Sequence, residues 1–447
     1  METRTPPGGG RDKEVVMKRT WKDIFVIGFA LFSMFFGAGN VVFPPYLGLE
    51  SGNQWFLGFV CYYLADIGLA LLALFAILRQ GGSDGITRPL GRLPATVLMC
   101  AIVLCIGPML AIPRTAATTY EMALSPLVSG FSPVLFSILF FAVIFLLCVK
   151  ESAVVDIVGK VLTPALLLGL LILIIKGVVD PIGPVPARAL VDNVPATGIE
   201  AGYQTMDVLA AMVFGIIVLK SAEAKGHTAL RDKFTVVAGA GIVAGAALLV
   251  VYLGLTYLGV TTSRFFDLTV NRTYLVVSIV RNLLGFAGVV LFSIVVALAC
   301  VTTAVALVSS AASYFSGLSG KRLSYGTVAA VICLFSAVVS NFGLDQIVAI
   351  AGPILDVVYP PTLTLILLAL AGRRLRRVWV YRLAALGALA TSLLNAMAVY
   401  GGVDIPFLQS LPLESIGFEW LLPAAVCGLI GALIPGELPD KPLSPHP

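Results

Sequence analysis

Apolar stretches of bilayer-spanning length, separated by short polar turns, recur along the whole chain. A membrane-crossing helix needs about 20 predominantly apolar residues. By that criterion the sequence predicts spans at approximately 24–47, 55–78, 95–123, 132–149, 154–178, 203–220, 234–260, 286–316, 325–342, 346–371, 379–400 and 418–435, about twelve in all. The fold class is therefore all-α, a polytopic membrane protein. The segment at about 267–285, which carries Arg272 and Arg281, reads as an interfacial helix. Residues 1–22 form a polar, basic tail, where Pro6-Pro7-Gly8-Gly9-Gly10 argues for disorder. The apolar run from Ile24 leads straight into the multi-span body and reads as a retained span, not a cleaved signal.

Composition supports lipid as the main solvent. Of 447 residues, 59% are hydrophobic and 12% charged, against roughly 25% charged in a soluble domain. The net charge of +5 is best read by position. Most of the 29 Lys and Arg lie in the tail before the first span, in the turns after even-numbered spans, and at Lys441 near the C-terminus. The exceptions are Arg114, Lys176, Arg188, Arg264, Arg272 and Arg281. The positive-inside rule then places both termini in the cytoplasm and gives no reason to invoke nucleic acid. The seven cysteines lie in apolar stretches without a CxxC pair, and the only histidines are His227 and His446. Small buried hydrophobes explain the cysteines, and a His-based metal site is not indicated.

Interruptions within the apolar runs carry the functional signal, because backbone groups freed in lipid must find partners. The first span contains Gly37-Ala38-Gly39-Asn40 followed by Pro44-Pro45. Glycine eases departure from helical geometry, and proline removes backbone donors. This pattern favours a discontinuous helix over a close-packing stripe. The sixth span carries Gly202-Tyr203-Gln204-Thr205-Met206-Asp207 and continues to Phe214-Gly215. Two interrupted helices five spans apart fit an inverted repeat. The implied division is 23–178 (spans one to five), 203–371 (spans six to ten), 379–435 (spans eleven and twelve), and tails at 1–22 and 436–447.

Other polar groups at depth widen the list. Thr302 and Thr303 share a helix face with Ala299. Their hydroxyls either offer oxygens to a hard cation or bond back to carbonyls one turn earlier. The third span holds Pro108, Pro113 and Arg114, as expected of a cavity-lining segment, with Glu121 as a charge partner seven residues on. The tenth span holds Pro353, Pro360 and Pro361, and a kink is expected there. Asp66, Asp207 and Asp356 are intramembrane acids, each either proton-coupling or statically hydrogen-bonded.

At these residues the chain resembles the bacterial branched-chain amino acid:cation symporters, often called the BrnQ family. The matching blocks are Phe35-Phe36-Gly37-Ala38-Gly39-Asn40 with Phe43-Pro44-Pro45, Pro113-Arg114-Thr115, Gly202 to Asp207, Leu298-Ala299-Cys300 with Thr302-Thr303-Ala304, and Pro353-Ile354-Leu355 with Tyr359-Pro360-Pro361. They cover nearly the whole membrane body. The resemblance implies a LeuT-type inverted repeat with two extra helices, importing leucine, isoleucine and valine with Na⁺ or H⁺. It implies that Ala38 and Gly39 present amides to the substrate carboxylate, with Gly37 as hinge and Asn40 beside them. It places Na⁺ between carbonyls of Ser33 and Phe36 and the face of Ala299, Thr302 and Thr303. It assigns Phe214 and Gly215 to the sixth-helix break, and leaves Asp207, Arg114 and Asp66 for coupling or gating. Asp66 and Ala306 depart from the family pattern.

The expected function is thus secondary active import by alternating access, with a branched-chain amino acid, Na⁺ or H⁺, and the lipid bilayer as partners, and no organic cofactor. Rivals are a symporter of the same fold for another amino acid or small metabolite, and an ion channel. No HExxH, GxSxG or catalytic His/Cys cluster supports an enzyme.

Overall fold

A computed structural model describes residues 9–149, 153–371 and 377–437. Lys150, Arg373, Arg374, Arg376, Lys441, His446 and residues 1–8 lie outside the described residues. Among the described residues the chain is helical, with one isolated bridge between Arg377 and Glu437 and no β-strand. Among the described residues, eight helical stretches are long and apolar enough to cross a membrane. The apolar helices Pro133–Val149, Leu166–Val179 and Leu421–Leu433 are shorter.

Helix α1 (Gly9–Phe35) reaches back into the segment expected to be disordered, and α2 (Ala38–Ser51) follows it. The second apolar segment is α3 (Trp55–Tyr63), a π turn at Leu64–Gly68, and α4 (Leu69–Gln80). The third is α5 (Arg92–Leu104) and α6 (Ala111–Thr119), joined by a π turn at Cys105–Met109. Then come α7 (Pro133–Val149), α8 (Ala153–Val179), α9 (Val194–Thr205), α10 (Asp207–Ala224) and α11 (Leu230–Val260). The chain continues with α12 (Arg272–Leu318), α13 (Tyr325–Val339), α14 (Leu344–Ala371), α15 (Val378–Gly401) and α16 (Leu421–Leu433).

Local chemistry explains several boundaries. The Asn271 side chain caps α12 by accepting the Tyr274 N–H. Gly285, at φ 66°, then breaks that helix, near where the interfacial segment was expected to end. Helix α14 runs on through Pro353, Pro360 and Pro361.

The outward faces are strongly apolar: Leu334 is 72% exposed and Leu429 70%, as lipid solvation requires. Inside, α11 packs against both α1 and α2. Its crossing with α2 is a backbone contact. A Cβ on Gly48 would lie 2.0 Å from the Thr256 carbonyl oxygen, and one on Gly259 1.8 Å from that of Pro45. Without a hydrophobic drive between helices in lipid, such close approach is how they gain packing energy. It also fixes α2 against α11, which carries Tyr252. Where α1 begins to bury, Asp23 accepts hydrogen bonds from Lys225 and His227, just past α10.

Candidate functional site

In a continuous α-helix the Gly37 N–H would bond the Ser33 carbonyl. It bonds Phe35 instead, at 2.8 Å, and the Ser33 carbonyl loses that partner. Gly37 is extended, at φ −107° and ψ −168°, a conformation open to any residue. Helix α2 restarts at Ala38, so the Ala38 and Gly39 amides have no carbonyl one turn back and carry the positive end of the helix dipole. Asn40 holds the break from the α2 side, its Oδ1 accepting the Gly37 N–H at 3.3 Å. The first interruption thus falls where the sequence placed it.

The sixth-segment interruption does not fall where the family resemblance placed it, although it lies within the Gly202 to Asp207 block. Phe214 and Gly215 lie inside the continuous helix α10. The break is at Met206, a left-handed residue at φ 66° between α9 and α10. Such a conformation costs a non-glycine residue about 1–2 kcal/mol, so tertiary contacts must hold it. Gly215 instead packs against Ile77, which a Cβ would approach to 2.6 Å. Phe214 lines the central cavity.

Arg114 supplies much of the holding. Buried at 4% exposure, it does not snorkel. Its guanidinium donates to the carbonyls of Gln204 at 2.5 Å and Thr205 at 3.1 Å, the last residues of α9. It also lies over the Phe43 ring and against Gly39, where a Cβ would come 2.9 Å from Nη2. One side chain thus bridges both breaks. Glu121 is not its partner. The carboxylate sits in a π turn at Tyr120–Leu124 that shifts it off the expected face. There it accepts from Thr273 Oγ1 and the Leu344 N–H. The third segment is itself broken: Gly107, at ψ −128°, precedes Pro108, which disfavours helical geometry in the residue before it.

Asn40 Nδ2 donates to Asp207 Oδ2 at 2.9 Å and to Tyr252 Oη at 2.6 Å, tying together α2, α10 and α11. Thr205 Oγ1 lies 2.8 Å from Asp66 Oδ1 in the π turn of the second segment. Gly202 permits this approach, since a Cβ there would stand 2.9 Å from the Tyr62 carbonyl oxygen. Asp356 is elsewhere, accepting from Tyr400 Oη at 2.7 Å. Tyr252 was not singled out from the sequence, because a tyrosine in an apolar run has no distinguishing local signal.

The two threonines differ. Thr302 Oγ1 donates to the Ala299 carbonyl at 2.9 Å, the back-bond of a membrane helix. Thr303 Oγ1 is buried without a hydrogen-bond partner. Its methyl group lies 3.6 Å from a Cβ built on Gly37, so Thr303 abuts the first break. A buried hydroxyl oxygen without a partner, beside a helix end whose Ser33 carbonyl does not receive the Gly37 N–H, is a donor set that fits a small hard cation. The cavity between the breaks is lined by Ala38, Asn40, Arg114, Asp207 and Thr303, with Met34, Ile106, Ala111, Phe214 and Leu307 as its apolar wall.

Comparison with known proteins gives the family and the fold. The family model described as "Branched-chain amino acid transport protein" matches residues 20–437. The chain is 34% identical over 425 residues to the branched-chain amino acid permease BraB of Bacillus subtilis, covering 92% of this chain and 95% of that one. Among solved structures it resembles a Na⁺-coupled sialic acid symporter in a substrate-bound, outward-open state. That match has a TM-score of 0.64 at 14% identity, over 94% of this chain and 91% of the other. It also resembles MhsT in complex with L-phenylalanine, with a TM-score of 0.56 at 16% identity, over 91% and 98% of the two chains. At such identities the likeness speaks for the fold, which is that of the LeuT-type transporters. The chain is a multi-span membrane transporter and belongs to the branched-chain amino acid transport protein family.

Proposed function

We propose that this protein imports leucine, isoleucine and valine into a bacterial cell with Na⁺, by alternating access, with both termini in the cytoplasm. The observation that carries the reading is the meeting of two broken helices at one cavity. The Ala38 and Gly39 amides, with Arg114 beside them, form an anion site for the substrate carboxylate. The wall of Met34, Ile106, Ala111, Phe214 and Leu307 accepts the branched side chain. The free interior is about 30 Å³, room for a water molecule rather than an amino acid. Substrate entry therefore needs the surrounding helices to move apart, as alternating access requires. Na⁺ would sit among the Ser33 and Phe36 carbonyls, Ala299, Thr302 and Thr303, tying the first break to α12.

Uptake of labelled leucine into proteoliposomes, with Na⁺ and pH gradients imposed separately, tests the proposal. Accumulation driven by the Na⁺ gradient, and competed by isoleucine and valine above other amino acids, is the expected result. No Na⁺-driven accumulation, or equal competition by all amino acids, contradicts it. Thr303→Ala removes one proposed ligand and should raise the Na⁺ concentration for half-maximal uptake about tenfold, the equivalent of ~1.4 kcal/mol. Thr303→Ser should stay near wild type. Unchanged Na⁺ dependence in Thr303→Ala would remove that residue from the ion site.

A further inference from the structure

Asp66 and Asp207 form a buried carboxyl pair that the transport reading leaves unused. Asp66 is 0% exposed and Asp207 4%. Thr205 Oγ1 joins the two residues, 2.8 Å from Asp66 Oδ1 and 3.4 Å from the Asp207 backbone nitrogen, whose N–H it accepts, and the two carboxyls are close enough to interact. Their other partners are few. Thr205 Oγ1 faces Asp66 Oδ1 but also lies 2.6 Å from the Gly202 carbonyl, and its single proton serves only one of them. Asn40 Nδ2 serves Asp207 Oδ2. Asp66 Oδ2 is buried without a hydrogen-bond partner, as is the Tyr62 hydroxyl that faces Asp66 from α3.

The charged and titratable groups facing the pair are Arg114 from α6, Tyr62 from α3, Tyr252 from α11 and Tyr359 from α14. Cys300 of α12 faces Arg114. Arg114 is the one cation in this set. Two ionised carboxylates beside one guanidinium leave a net negative charge in a dry site, where an uncompensated charge is costly. Neighbouring carboxyls in such a site hold a single proton between them. A proton there makes the pair plus Arg114 neutral. A bound metal cation is less suited. Asn40 turns its amide nitrogen toward Asp207, because its oxygen is taken by the Gly37 N–H.

We propose that Asp66 and Asp207 share one proton inside the substrate site, and that this proton sets the site's charge for the incoming amino acid. Its consequence for substrate rests on the transport reading; the shared proton itself does not. Loss of the proton at high pH leaves net negative charge beside the groups that receive the substrate carboxylate, and affinity for leucine falls. Asp66→Asn leaves Asp207 paired with Arg114, neutral like the protonated pair.

The test has two arms on purified full-length protein. Infrared spectra without substrate, recorded across pH, should show a protonated-carboxyl band that titrates and is absent from Asp66→Asn. Asp207→Asn provides the same control if Asp66→Asn does not fold. Leucine binding to wild type should weaken about tenfold from acid to alkaline pH. In Asp66→Asn it should stay flat at the low-pH affinity. A missing band in wild type, or a wild-type pH profile in Asp66→Asn, overturns the shared proton. A missing band with Na⁺ affinity lost in Asp66→Asn would make the pair a cation site instead, and also overturns it. If the band behaves as expected but leucine never binds, the transport reading fails and the shared proton stands.

Discussion

Arg114→Ala should abolish leucine uptake, by about a hundredfold or more, and lower the unfolding midpoint of the purified protein. The side chain donates to both carbonyls that end α9 and touches Gly39 at the start of α2. Its removal leaves buried carbonyls without donors and two buried carboxyls without a counter-charge. Breaking a buried charge arrangement from one side costs about 3–5 kcal/mol, enough to release Met206 from its left-handed conformation. Arg114→Lys keeps the charge but lacks the planar fork that serves two carbonyls at once. It should retain more stability than alanine and still lose most uptake. Uptake by Arg114→Ala near wild type would show that the breaks are held by something else.

Gly259→Val should prevent folding altogether. The new Cβ would fall 1.8 Å from the Pro45 carbonyl oxygen, a backbone atom of α2 that cannot rotate away. Separating α2 from α11 would also pull Asn40 from Tyr252. The expected loss exceeds about 4 kcal/mol, the range reserved for severe core defects. Little or no monodisperse protein should survive detergent extraction and size-exclusion chromatography. Gly169→Ala, at a glycine with open space around it, should behave as wild type. A well-folded Gly259→Val protein would contradict the observed crossing.

The sequence made some of this site legible because the signals were local. Gly37, Gly39 and Asn40 weaken a helix where they stand, and the first break is there. Pro108 and Arg114 marked a cavity-lining segment, and Arg114 lines the cavity. The sixth-segment break was misplaced because its position at Phe214 and Gly215 was carried over from the family resemblance. The true break uses Met206, whose conformation is imposed by Arg114 of α6 and by contacts of Thr205 with the second segment. Distant chain elements of that kind leave no mark in a local window. Pairing Arg114 with Glu121 failed for a related reason, since the π turn at Tyr120–Leu124 changes which face a residue occupies. Asp66 stood out by its chemistry alone, and only the fold brings it to Asp207.

Hydrogen–deuterium exchange at the first break tests the central claim most directly. If the Ala38 and Gly39 amides receive the substrate carboxylate, leucine should slow exchange in the peptide spanning Phe35 to Val41, and the effect should vanish in Arg114→Ala. Exchange there that is already slow without substrate and unmoved by saturating leucine would mean a closed, regular helix, and the account would fail.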